Sequence, residues 1–363
     1  MKVVHICQFL GVGGLEKVLY LLIKEQLKAG HHVELIVYDY EQAWVSKFKD
    51  LNIQVHNQKI KTNGYDYSLI FYMNDIVKDF DIIHTHDLNP VLYIGPLKLL
   101  TKLKFKRFPK FIHTTHGMEH IELAPKTRIY EKFLSLVVDR IVAVSPAFKD
   151  YYLNKTFANS KRVFNIDNGS DIEKDFPTID PAPFKEKICN THDISIDQEL
   201  WIILARVFPL KDQKIVSDIM TNYPNATLLI CGPCPDKSYL QKIKASKPKN
   251  VVLTGSIEDV DQYLKASTLF ISASHHEGIP ISVLEAAANG LPCVLSNIDG
   301  HRTLYKNGNF FVFEPNDSQS LIECLNSITD QNKIEKAIKL HKTVYDLYSS
   351  HRMFKDYEEV YLS

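Results

Sequence analysis

A loop that leads into a short buried helix is predicted by the stretch HHEGIPISVLEAAANG, which runs from His275 to Gly290. Pro280 suits the first helical position, where a missing N–H costs nothing, and Gly290 suits the left-handed residue that ends a helix. The preceding residues 269–274, LFISAS, predict a buried parallel strand. The loop therefore lies at the carboxyl end of a strand, where open α/β sheets bind their ligands.

Two acidic residues flank the start of this predicted helix. Glu277 precedes the helix, and Glu285 lies inside it. Free N–H groups at a helix start attract an anion such as a diphosphate, and carboxylates accept hydrogen bonds from the hydroxyls of a ribose or a sugar. A carboxylate so close to phosphate is costly unless it engages hydroxyls or cations. The pattern predicts a nucleotide-sugar ligand; the alternative is an amphipathic helix with solvated Glu residues.

The same stretch resembles a known signature. Glu277, seven residues and Glu285, with Gly-Ile-Pro at 278–280 and Gly-Leu-Pro at 290–292, resemble the retaining glycosyltransferases of family 4, the glycosyl transferases group 1. The resemblance implies an α/β GT-B fold, in which two Rossmann-like doubly wound domains face each other across a cleft. It also implies that Glu277 holds hydroxyls of the donor sugar and that Glu285 holds the ribose. The donor would further contact the helix start, which comprises Gly278, Ile279, Pro280, Ile281 and Ser282.

Length and composition limit the class of protein. A chain of 363 residues suggests about two domains. Lys plus Arg total 43 and Asp plus Glu total 43, so the formal net charge is zero, which argues against nucleic-acid binding by a generally basic surface. No segment approaches the roughly 18 apolar residues of a membrane helix, and the first residues predict a strand instead of a signal peptide, so we expect a cytoplasmic protein. The six scattered cysteines are predicted to be buried free thiols.

The amino terminus predicts a strand, a glycine loop and a helix. Residues 2–10 form an apolar run, Gly11-Val12-Gly13-Gly14 follows, and apolar residues then recur at helical spacing. The glycines do not fit the G-x-G-x-x-G dinucleotide fingerprint, so a nicotinamide cofactor is disfavoured. Gly13 and Gly14 permit close approach of a ligand and resemble the family's glycine loop, which faces the cleft; a tight turn is the alternative.

Four histidines lie at two predicted strand ends, HTH at 84–86 and HTTH at 113–116. Their spacing admits a zinc site, but the two clusters need not converge, and no H-E-x-x-H pattern supports one. The family resemblance implies instead that His116, which stands before a glycine, contacts the donor sugar. It also suggests that His84 or His86 lines the acceptor side.

Residues 98–111 form a basic run in which Leu and Phe alternate with cations. The cations are Lys98, Lys102, Lys104, Lys106, Arg107 and Lys110. An anionic membrane surface attracts such a segment by about 1 kcal/mol per cation, and exposed aromatic rings add to the attraction. We hypothesise peripheral attachment to the inner face of the membrane, in keeping with family members that glycosylate lipid-linked acceptors. A solvated surface helix and turn is the alternative.

The second half of the chain restarts the strand pattern with LWIILA at 200–205, followed by Arg206 and, five residues later, Lys211. A strand here places both cations at its carboxyl end. At such a position Arg can bind a phosphate bidentately and Lys can supply a point charge. This matches the family's Gly-Arg…Lys signature, except that Ala205 replaces the glycine. The alternative is a surface Arg and a Lys that caps a helix.

Two further loops resemble donor-binding segments of the family. Cys231-Gly232-Pro233-Cys234 occupies the position of a glycine loop near the nucleoside, and Gly255 to Ile257 match the base-binding turn, so Gly232 and Ile257 are predicted donor contacts. The C-x-x-C pattern is not predicted to be redox-active, because no thioredoxin-like unit surrounds it. Asp299-Gly300 stands where relatives often have Gly-Gly.

The domain boundary is predicted from another resemblance. Asn168-Gly169-Ser170-Asp171 is similar to the family's domain-crossing segment, and residues 175–183 predict a linker. We expect an N-terminal acceptor-side domain over 1–170 and a C-terminal nucleotide-sugar-binding domain over 171–344. A helix over 345–363 is expected to return to the first domain.

The resemblance implies sugar transfer, with retention, from a UDP-sugar to a hydroxyl of a glycan or a lipid-linked acceptor in surface polysaccharide biosynthesis. Arg206, Lys211 and the N–H groups at 279–282 would stabilise the departing diphosphate without a metal. The predicted catalytic residues are Glu277, His116, Arg206 and Lys211, and no cofactor is expected besides the donor. Alternatives are a sugar-nucleotide epimerase or a phosphorylase on the same fold, or a non-catalytic nucleotide-sugar-binding subunit.

Overall fold

The structure is a computed structural model that describes residues 1–11, 13–40, 42–62, 64–103, 107–116, 125–306 and 308–363. The chain folds into two compact units, one of Met1–Gly169 with Ser350–Ser363 and the other of Ser170–Ser349. It leaves the first unit after Gly169, where residue 170 was expected, and returns at Ser350, where 345 was expected. The return is later because a helix over Asp330–Tyr348 belongs wholly to the second unit.

The first unit is built on a seven-stranded parallel sheet in the order β3-β2-β1-β4-β5-β6-β7. The strands are β1 (Lys2–Cys7), β2 (His32–Val37), β3 (Gln54–His56), β4 (Ile82–His86), β5 (Lys110–Thr115), β6 (Arg140–Ala143) and β7 (Val163–Asn165). The helices described for this unit are α1 (Gly14–Lys28), α2 (Val45–Lys49), α3 (Tyr67–Val77), α4 (Leu88–Leu103), α5 (Pro125–Leu134), α6 (Pro146–Lys155) and the C-terminal α15 (Ser350–Leu362).

The two faces of this sheet differ in chemistry. Val4 and Ile6 of β1 pack into an apolar cluster with Phe111 of β5. His5 lies between them in sequence and therefore points to the opposite face. That face is covered by α1 and α15, which contact each other. The strand thus places one polar side chain beneath the C-terminal helix. The return of that helix to the first unit confirms the expected topology.

The second unit is built on a six-stranded parallel sheet in the order β10-β9-β8-β11-β12-β13. The strands are β8 (Glu199–Leu204), β9 (Ala226–Cys231), β10 (Val251–Gly255), β11 (Leu269–Ser272), β12 (Cys293–Ser296) and β13 (Phe311–Phe313). The helices described for this unit are α7 (Ala182–His192), α8 (Gln213–Ile219), α9 (Lys237–Ser246), α10 (Val260–Ala266), α11 (Ile281–Ala288), α12 (Asp299–Arg302), α13 (Ser318–Asn326) and α14 (Asp330–Tyr348). Apolar clusters fill both faces of the sheet.

Strand order reverses at one point in each sheet, between β1 and β4 in the first unit and between β8 and β11 in the second. In open α/β sheets, ligands bind at the carboxyl ends of the strands beside such a reversal. The loop after Leu204 and the loop after Ser272 are therefore neighbours. These are the two loops that carry Arg206, Lys211 and Glu277.

Helix α11 forms where the sequence predicts it, with Glu277 before it and Glu285 inside it. Pro280 is the N-cap and not the first helical residue, so that prediction was wrong by one position. Its backbone is extended (φ −74°, ψ 112°), while its carbonyl already accepts from the N–H of Val283. Gly290 has φ +71°, which confirms the predicted left-handed residue after the helix.

Within the described part of the chain, no helix combines the length and apolar character needed to cross a membrane. The six cysteines are free thiols. Four of them are buried, as predicted, and two are half-buried: Cys7, Cys189, Cys231 and Cys293 belong to the first group, Cys234 and Cys324 to the second.

Candidate active site

The centre of the site in the second unit is an ion pair between two predicted site residues. Lys211 Nζ lies 2.5 Å from Oε1 of Glu277. The hydroxyl of Ser274 donates to the same oxygen at 2.7 Å. Both charged side chains are about four-fifths buried, with 19% and 16% of their surfaces exposed. The structure therefore brings the predicted cation and acid together at the reversal of strand order.

A second pair joins the same two loops. His275 Nε2 lies 3.3 Å from Oδ2 of Asp212, and the His275 N–H donates to the Leu210 carbonyl at 2.9 Å. Asp212 has φ 39°, an unfavourable left-handed value for a residue with a Cβ. Burial raises the pKa of Asp212, and the neighbouring His275 opposes that shift. These contacts fix the loop that carries Lys211 against the loop that carries Glu277.

Gly300 explains how the Glu277 loop packs so closely on α12. A Cβ at position 300 would lie 2.4 Å from the carbonyl oxygen of Glu277 and 2.5 Å from that of Gly278. Contacts that short do not occur between real atoms, so only glycine fits. The second glycine of the family's Gly-Gly is thus retained for a steric reason that involves Glu277.

His301 is a buried site residue that the sequence analysis missed. Its Nδ1 donates to the carbonyl of Ser296 at 2.8 Å, and its side chain is only 1% exposed. Burial lowers its pKa, while the charge of Glu277 raises that pKa and the charge of Lys211 lowers it. Its Nε2 is buried and makes no hydrogen bond to the described residues. His301 therefore lies within the electrostatic field of the ion pair; its only sequence signal is its place after Gly300.

Gly232 joins three strand ends. Its φ is +148°, and a Cβ there would lie 2.1 Å from the carbonyl oxygen of Ala205. Its N–H donates to the carbonyl of Gly255 at 2.8 Å. The loops after β8, β9 and β10 are therefore in direct contact, and the glycine is needed at 232 and not at 205.

Two predicted donor contacts are core residues. Ile257 and Ile279 are 9% and 7% exposed and pack with Val283 in the apolar cluster beneath α11. Their side chains hold the loop and helix in place, so only their backbone groups remain for a ligand. Sequence reasoning did not separate these two roles, because an apolar residue beside a glycine fits either.

The remaining predicted residues of this unit lie at the same edge of the sheet. Arg206 is exposed just after β8, and its carbonyl accepts from Gln213 Nε2 at 2.8 Å. Ile281 and Ser282 are half-buried in the first turn of α11, and Glu285 is half-buried in the second. Unpaired N–H groups at a helix start carry a partial positive charge. The edge thus offers two cations, a helix start and two carboxylates.

In the first unit, the glycine loop folds around a carboxylate. Glu16 Oε1 accepts from the N–H of Gly11 at 2.9 Å, and a Cβ on Gly13 would lie 2.9 Å from Glu16 Oε2. Glu16 is 4% exposed, and α1 begins at Gly14. The space above Gly13 is therefore taken by the chain's own carboxylate, a reason for glycine that the sequence did not show. Ligand contact at Gly13 and Gly14 stays a prediction.

The four histidines at the two predicted strand ends do not form one group, because His113 lies apart from the other three. His113 bonds to Thr85 Oγ1 at 3.2 Å and to the Tyr152 hydroxyl at 3.3 Å, whereas His84 and His86 lie on the face beneath α15. Successive residues of a strand point to opposite faces of the sheet, and His113 lies on the face opposite to the one that carries His84 and His86.

His84 and His86 cluster instead with His5, and the nitrogens of these three rings lie within 4.8 Å of one another. Each ring has both nitrogens in hydrogen bonds. His84 and His86 are 0% and 2% exposed. The expectation that one of them lines the acceptor side is therefore wrong, because neither side chain reaches the surface.

His116 directly follows β5 and is the last described residue of the loop after that strand. Its N–H donates to Asp87 Oδ1 at 2.9 Å, and its ring Nε2 lies 2.9 Å from His86 Nδ1. Burial lowers its pKa to about 3, so the ring is neutral at neutral pH. His116 is thus a rigidly held, uncharged imidazole at the carboxyl end of a central strand. The glycine after it lies outside the described residues.

Fewer cations of the basic run 98–111 are free to meet a membrane surface than the sequence predicted. Lys98 is 3% exposed and its Nζ lies 2.6 Å from Asp139, while Lys110 Nζ donates to the carbonyls of Tyr361 at 2.9 Å and Ser363 at 3.0 Å. These two cations stabilise the fold of the first unit, because each neutralises a charge or a partial charge within it. Residues 104–106 lie outside the described residues, and Lys102 and Arg107 are exposed.

Two parallel α/β sheets, and an acid–cation pair before a short helix at the strand reversal of the second, fit a GT-B glycosyltransferase. Comparison with protein families agrees with this: "Glycosyltransferase Family 4" matches residues 12–174, and "Glycosyl transferases group 1" matches residues 184–344. The chain belongs to this glycosyltransferase family.

Relatives of known name are similar over most of the chain. UDP-Gal:alpha-D-GlcNAc-diphosphoundecaprenol alpha-1,3-galactosyltransferase of Escherichia coli is 28% identical over 69% of this chain and 67% of its own length. The O-antigen biosynthesis glycosyltransferase WclY of Escherichia coli is 22% identical over 80% of this chain and 81% of its own length. The chain is therefore similar to bacterial glycosyltransferases over about two thirds to four fifths of its length.

Solved structures share the fold. Anabaena Alr3699/HepE in complex with UDP and glucose superposes with a TM-score of 0.81 at 17% identity and covers 100% of both chains. A glycosyltransferase from Rickettsia africae superposes with a TM-score of 0.79 at 19% identity and covers 99% of this chain and 97% of its own. These similarities establish the GT-B architecture.

Proposed function

We propose that this glycosyltransferase moves a hexose from a UDP-sugar to a hydroxyl of a lipid-linked glycan, with retention at the anomeric carbon and without a metal. The observation that carries the proposal is the Lys211–Glu277 pair at the strand reversal, immediately before α11. A cation, an acid and a helix start are the groups that a diphospho-sugar needs: charge for the diphosphate and acceptors for the hydroxyls.

Lys211 supports the diphosphate half of this proposal. An ammonium group has three donors, and Glu277 takes one of them at 2.5 Å. The others are available to phosphate oxygens, together with the exposed guanidinium of Arg206 and the N–H groups at the start of α11. Negative charge grows on the leaving diphosphate as the glycosidic bond breaks. Donors fixed in advance around that charge lower the barrier, which is the role that a divalent metal plays in other transferases.

Glu277 supports the sugar half. Its Oε1 already accepts from Lys211 and Ser274, so the carboxylate is fixed and partly neutralised. A carboxylate held in this way is a poor nucleophile but a good acceptor for sugar hydroxyls through its remaining lone pairs. We therefore assign Glu277 to hydroxyl binding. Retention would follow from attack on the face that the diphosphate leaves, with a phosphate oxygen taking the acceptor's proton.

The choice of UDP and of a lipid-linked acceptor rests on the relatives. The Escherichia coli galactosyltransferase is named for UDP-Gal and for a diphosphoundecaprenol-linked acceptor, and the Anabaena structure holds UDP and glucose. Glu285, half-buried in the second turn of α11, is the proposed acceptor for ribose hydroxyls. The backbone groups around Ile257 are the proposed contact for the base.

Exposed apolar side chains support attachment to a membrane surface. Helices α4 and α5 contact each other in the first unit. Their exposed apolar residues are Leu99, Leu100, Leu103, Ile129, Tyr130 and Phe133. Exposed cations at Lys102, Arg107 and Lys132 accompany them. Apolar side chains with cations fit an anionic lipid surface, where a lipid-linked acceptor would be found. We propose this surface in place of the basic run alone.

The experiment is a screen of purified protein against UDP-, GDP- and ADP-hexoses, with and without an undecaprenyl-diphosphate-linked sugar. The expected result is transfer from one UDP-hexose, with the new linkage in the anomeric configuration of the donor by NMR. Conversion of a donor to its epimer without acceptor would instead identify an epimerase. Binding of UDP-sugars without turnover under all conditions would identify a non-catalytic subunit.

A further inference from the structure

A fully buried amide lies in the last turn of α1. Gln26 is 0% exposed. Its Oε1 lies 2.9 Å from His5 Nε2, and its Nε2 donates to the hydroxyl of Tyr361 at 3.0 Å. A buried amide with both ends engaged is held in one orientation. The orientation of the Gln26 amide therefore sets which of the groups hydrogen-bonded to it donate and which accept.

A continuous line of hydrogen bonds leads from this amide to His116. His5 Nδ1 lies 2.9 Å from His86 Nε2, and His86 Nδ1 lies 2.9 Å from His116 Nε2. The line crosses from α1 through the central strands β1 and β4 to the end of β5. Its first three members are almost fully buried, and only His116 is partly exposed. The line thus connects the interior with the edge of the sheet.

The direction of each bond follows from the chemistry of its ends. A carbonyl oxygen can only accept, so the proton of His5 is on Nε2 and its Nδ1 is bare. Burial lowers the pKa of His5 to about 4, that of His116 to about 3 and that of His86 well below 6.5, so each ring carries one proton at neutral pH. His86 then donates from Nε2 to His5, and His116 donates from Nε2 to His86. The remaining nitrogen, Nδ1 of His116, keeps its lone pair.

We propose that Gln26 is a positioning residue, which acts through His5 and His86 to hold His116 in the Nε2–H tautomer, so that His116 Nδ1 accepts a hydrogen bond from a hydroxyl of the substrate sugar. This rests on the proposed function and on the contact with the donor sugar that the family resemblance implies for His116. An uncharged acceptor directs the negative end of its dipole at the sugar. Positive charge develops on a sugar ring as its glycosidic bond breaks, and this dipole stabilises it; the opposite tautomer would present a proton instead.

A second branch of hydrogen bonds starts from the same amide. Tyr361 accepts from Gln26 and has one proton to give, which it donates to His84 Nδ1 at 2.8 Å. His84 then donates from Nε2 to Thr114 Oγ1 at 2.7 Å. Donors and acceptors match along both branches with the Gln26 oxygen facing His5, as the structure has it; a reversed amide would reverse every bond, and the tautomer of His116 distinguishes the two arrangements. The network is therefore complete without a further group.

The distances favour hydrogen bonds over a metal in the histidine cluster. Two imidazole nitrogens bound to one tetrahedral zinc at about 2.0 Å would lie about 3.3 Å apart. His5 Nδ1 and His86 Nε2 are 2.9 Å apart, which is a hydrogen-bond distance. Zinc bound by the purified protein and retained after dialysis against chelator would overturn the proposal.

The test reads the tautomer directly. Protein labelled with ¹⁵N-histidine gives long-range ¹⁵N–¹H spectra in which a bare nitrogen and a protonated nitrogen are distinct, and the His116→Gln variant assigns the His116 signals. We expect a protonated Nε2 and a bare Nδ1 in wild-type protein. In Gln26→Met, which keeps the side-chain shape but removes the amide, we expect signals of mixed tautomers and a kcat lowered about tenfold, the value of one directed hydrogen bond.

The matched control is Tyr357→Phe. Tyr357 is equally buried on α15 and bonds Thr114 at 3.1 Å, but it lies outside the line from Gln26 to His116. It should keep the wild-type tautomer and kcat within about twofold. A bare Nε2 on His116 in wild-type protein, or unchanged His116 signals in Gln26→Met, would overturn the inference. The two tautomer readouts need no substrate, unlike the kcat comparison, so they are separate from failure of the proposed transfer reaction.

Discussion

Lys211 Nζ lies 2.5 Å from the carboxylate of Glu277, and this contact joins the loop after β8 to the loop before α11. Both side chains are mostly withdrawn from water. Removal of either partner therefore leaves a poorly solvated charge, which makes each residue sensitive to substitution. The pair also sets the position of an ammonium group beside a helix start, which is the basis of the proposed diphosphate site.

The first prediction concerns Glu277. Glu277→Gln keeps the shape of the side chain but removes its charge, so Lys211 loses its partner and the sugar hydroxyls lose a charged acceptor. We expect kcat for sugar transfer to fall by about a hundredfold, with the folded structure preserved by circular dichroism. Glu323→Gln, at an exposed position of α13, is the control and should leave kcat unchanged. Wild-type kcat in Glu277→Gln would remove Glu277 from the mechanism.

The second prediction concerns Gly300. A methyl group there would lie 2.4 Å from the Glu277 carbonyl, so the Glu277 loop has to move. We expect Gly300→Ala to lower the free energy of unfolding by about 1–3 kcal/mol and kcat by at least about tenfold. Asp299→Ala changes the adjacent side chain, which is 100% exposed, and should change stability by less than about 0.5 kcal/mol. Equal behaviour of the two variants in denaturant titrations would refute the steric argument.

The third prediction concerns pH and His5. Burial lowers the pKa of His5 to about 4, whereas the unfolded chain binds that proton near 6.5. The unfolded state therefore takes up the proton first, so the contribution is complete above pH 6.5 and is lost as the pH falls toward 4. The free energy of unfolding should decline by about 1.4 kcal/mol per pH unit from this group. Urea titrations from pH 7.5 to 4.5 should show a slope shallower by that amount in His5→Gln; parallel slopes would contradict the shift.

The fourth prediction concerns the apolar surface of α4 and α5. Leu103 and Phe133 are 75% and 59% exposed. Replacing both with Glu should weaken binding to vesicles that contain anionic lipid by about tenfold or more, measured by flotation at low and high salt. Phe71→Glu, at a position of α3 that is 73% exposed, is the matched control and should bind like the wild type. Flotation that is equal in all three proteins would locate the membrane contact elsewhere or exclude it.

Local pattern was sufficient for much of the fold. Apolar runs that end in loops identified strands such as β1, β8 and β11, and parallel sheets collect their ligand-binding loops at one edge. That rule places Lys211 and Glu277 at one edge, whereas the contact between them, across 66 residues of sequence, is a finding of the structure. The resemblance to the family added the roles that the rule cannot supply.

Long-range polar pairing was not predictable from pattern. Gln26 lies on a helix whose neighbours are apolar, and its hydroxyl partner Tyr361 is 335 residues away. Lys98 was counted as a surface cation because its partner, Asp139, belongs to another strand end. His301 lacks any distinguishing neighbour except Gly300. Each case depends on which side chains the folded sheet brings together. The residues next to each one in the sequence do not reveal that partner.

The most direct test of the account is a titration of UDP into wild-type protein, Lys211→Ala and Lys214→Ala. Lys214 is an equally charged residue nearby in sequence, paired with Asp218 on α8. We predict that UDP binds the wild type and Lys214→Ala with equal affinity and binds Lys211→Ala on the order of a hundredfold more weakly, because the diphosphate loses a cation and meets an unpaired Glu277. Equal UDP affinity in the two variants, or no binding to the wild type, would contradict the assignment of the Lys211–Glu277 site to a nucleotide-sugar donor.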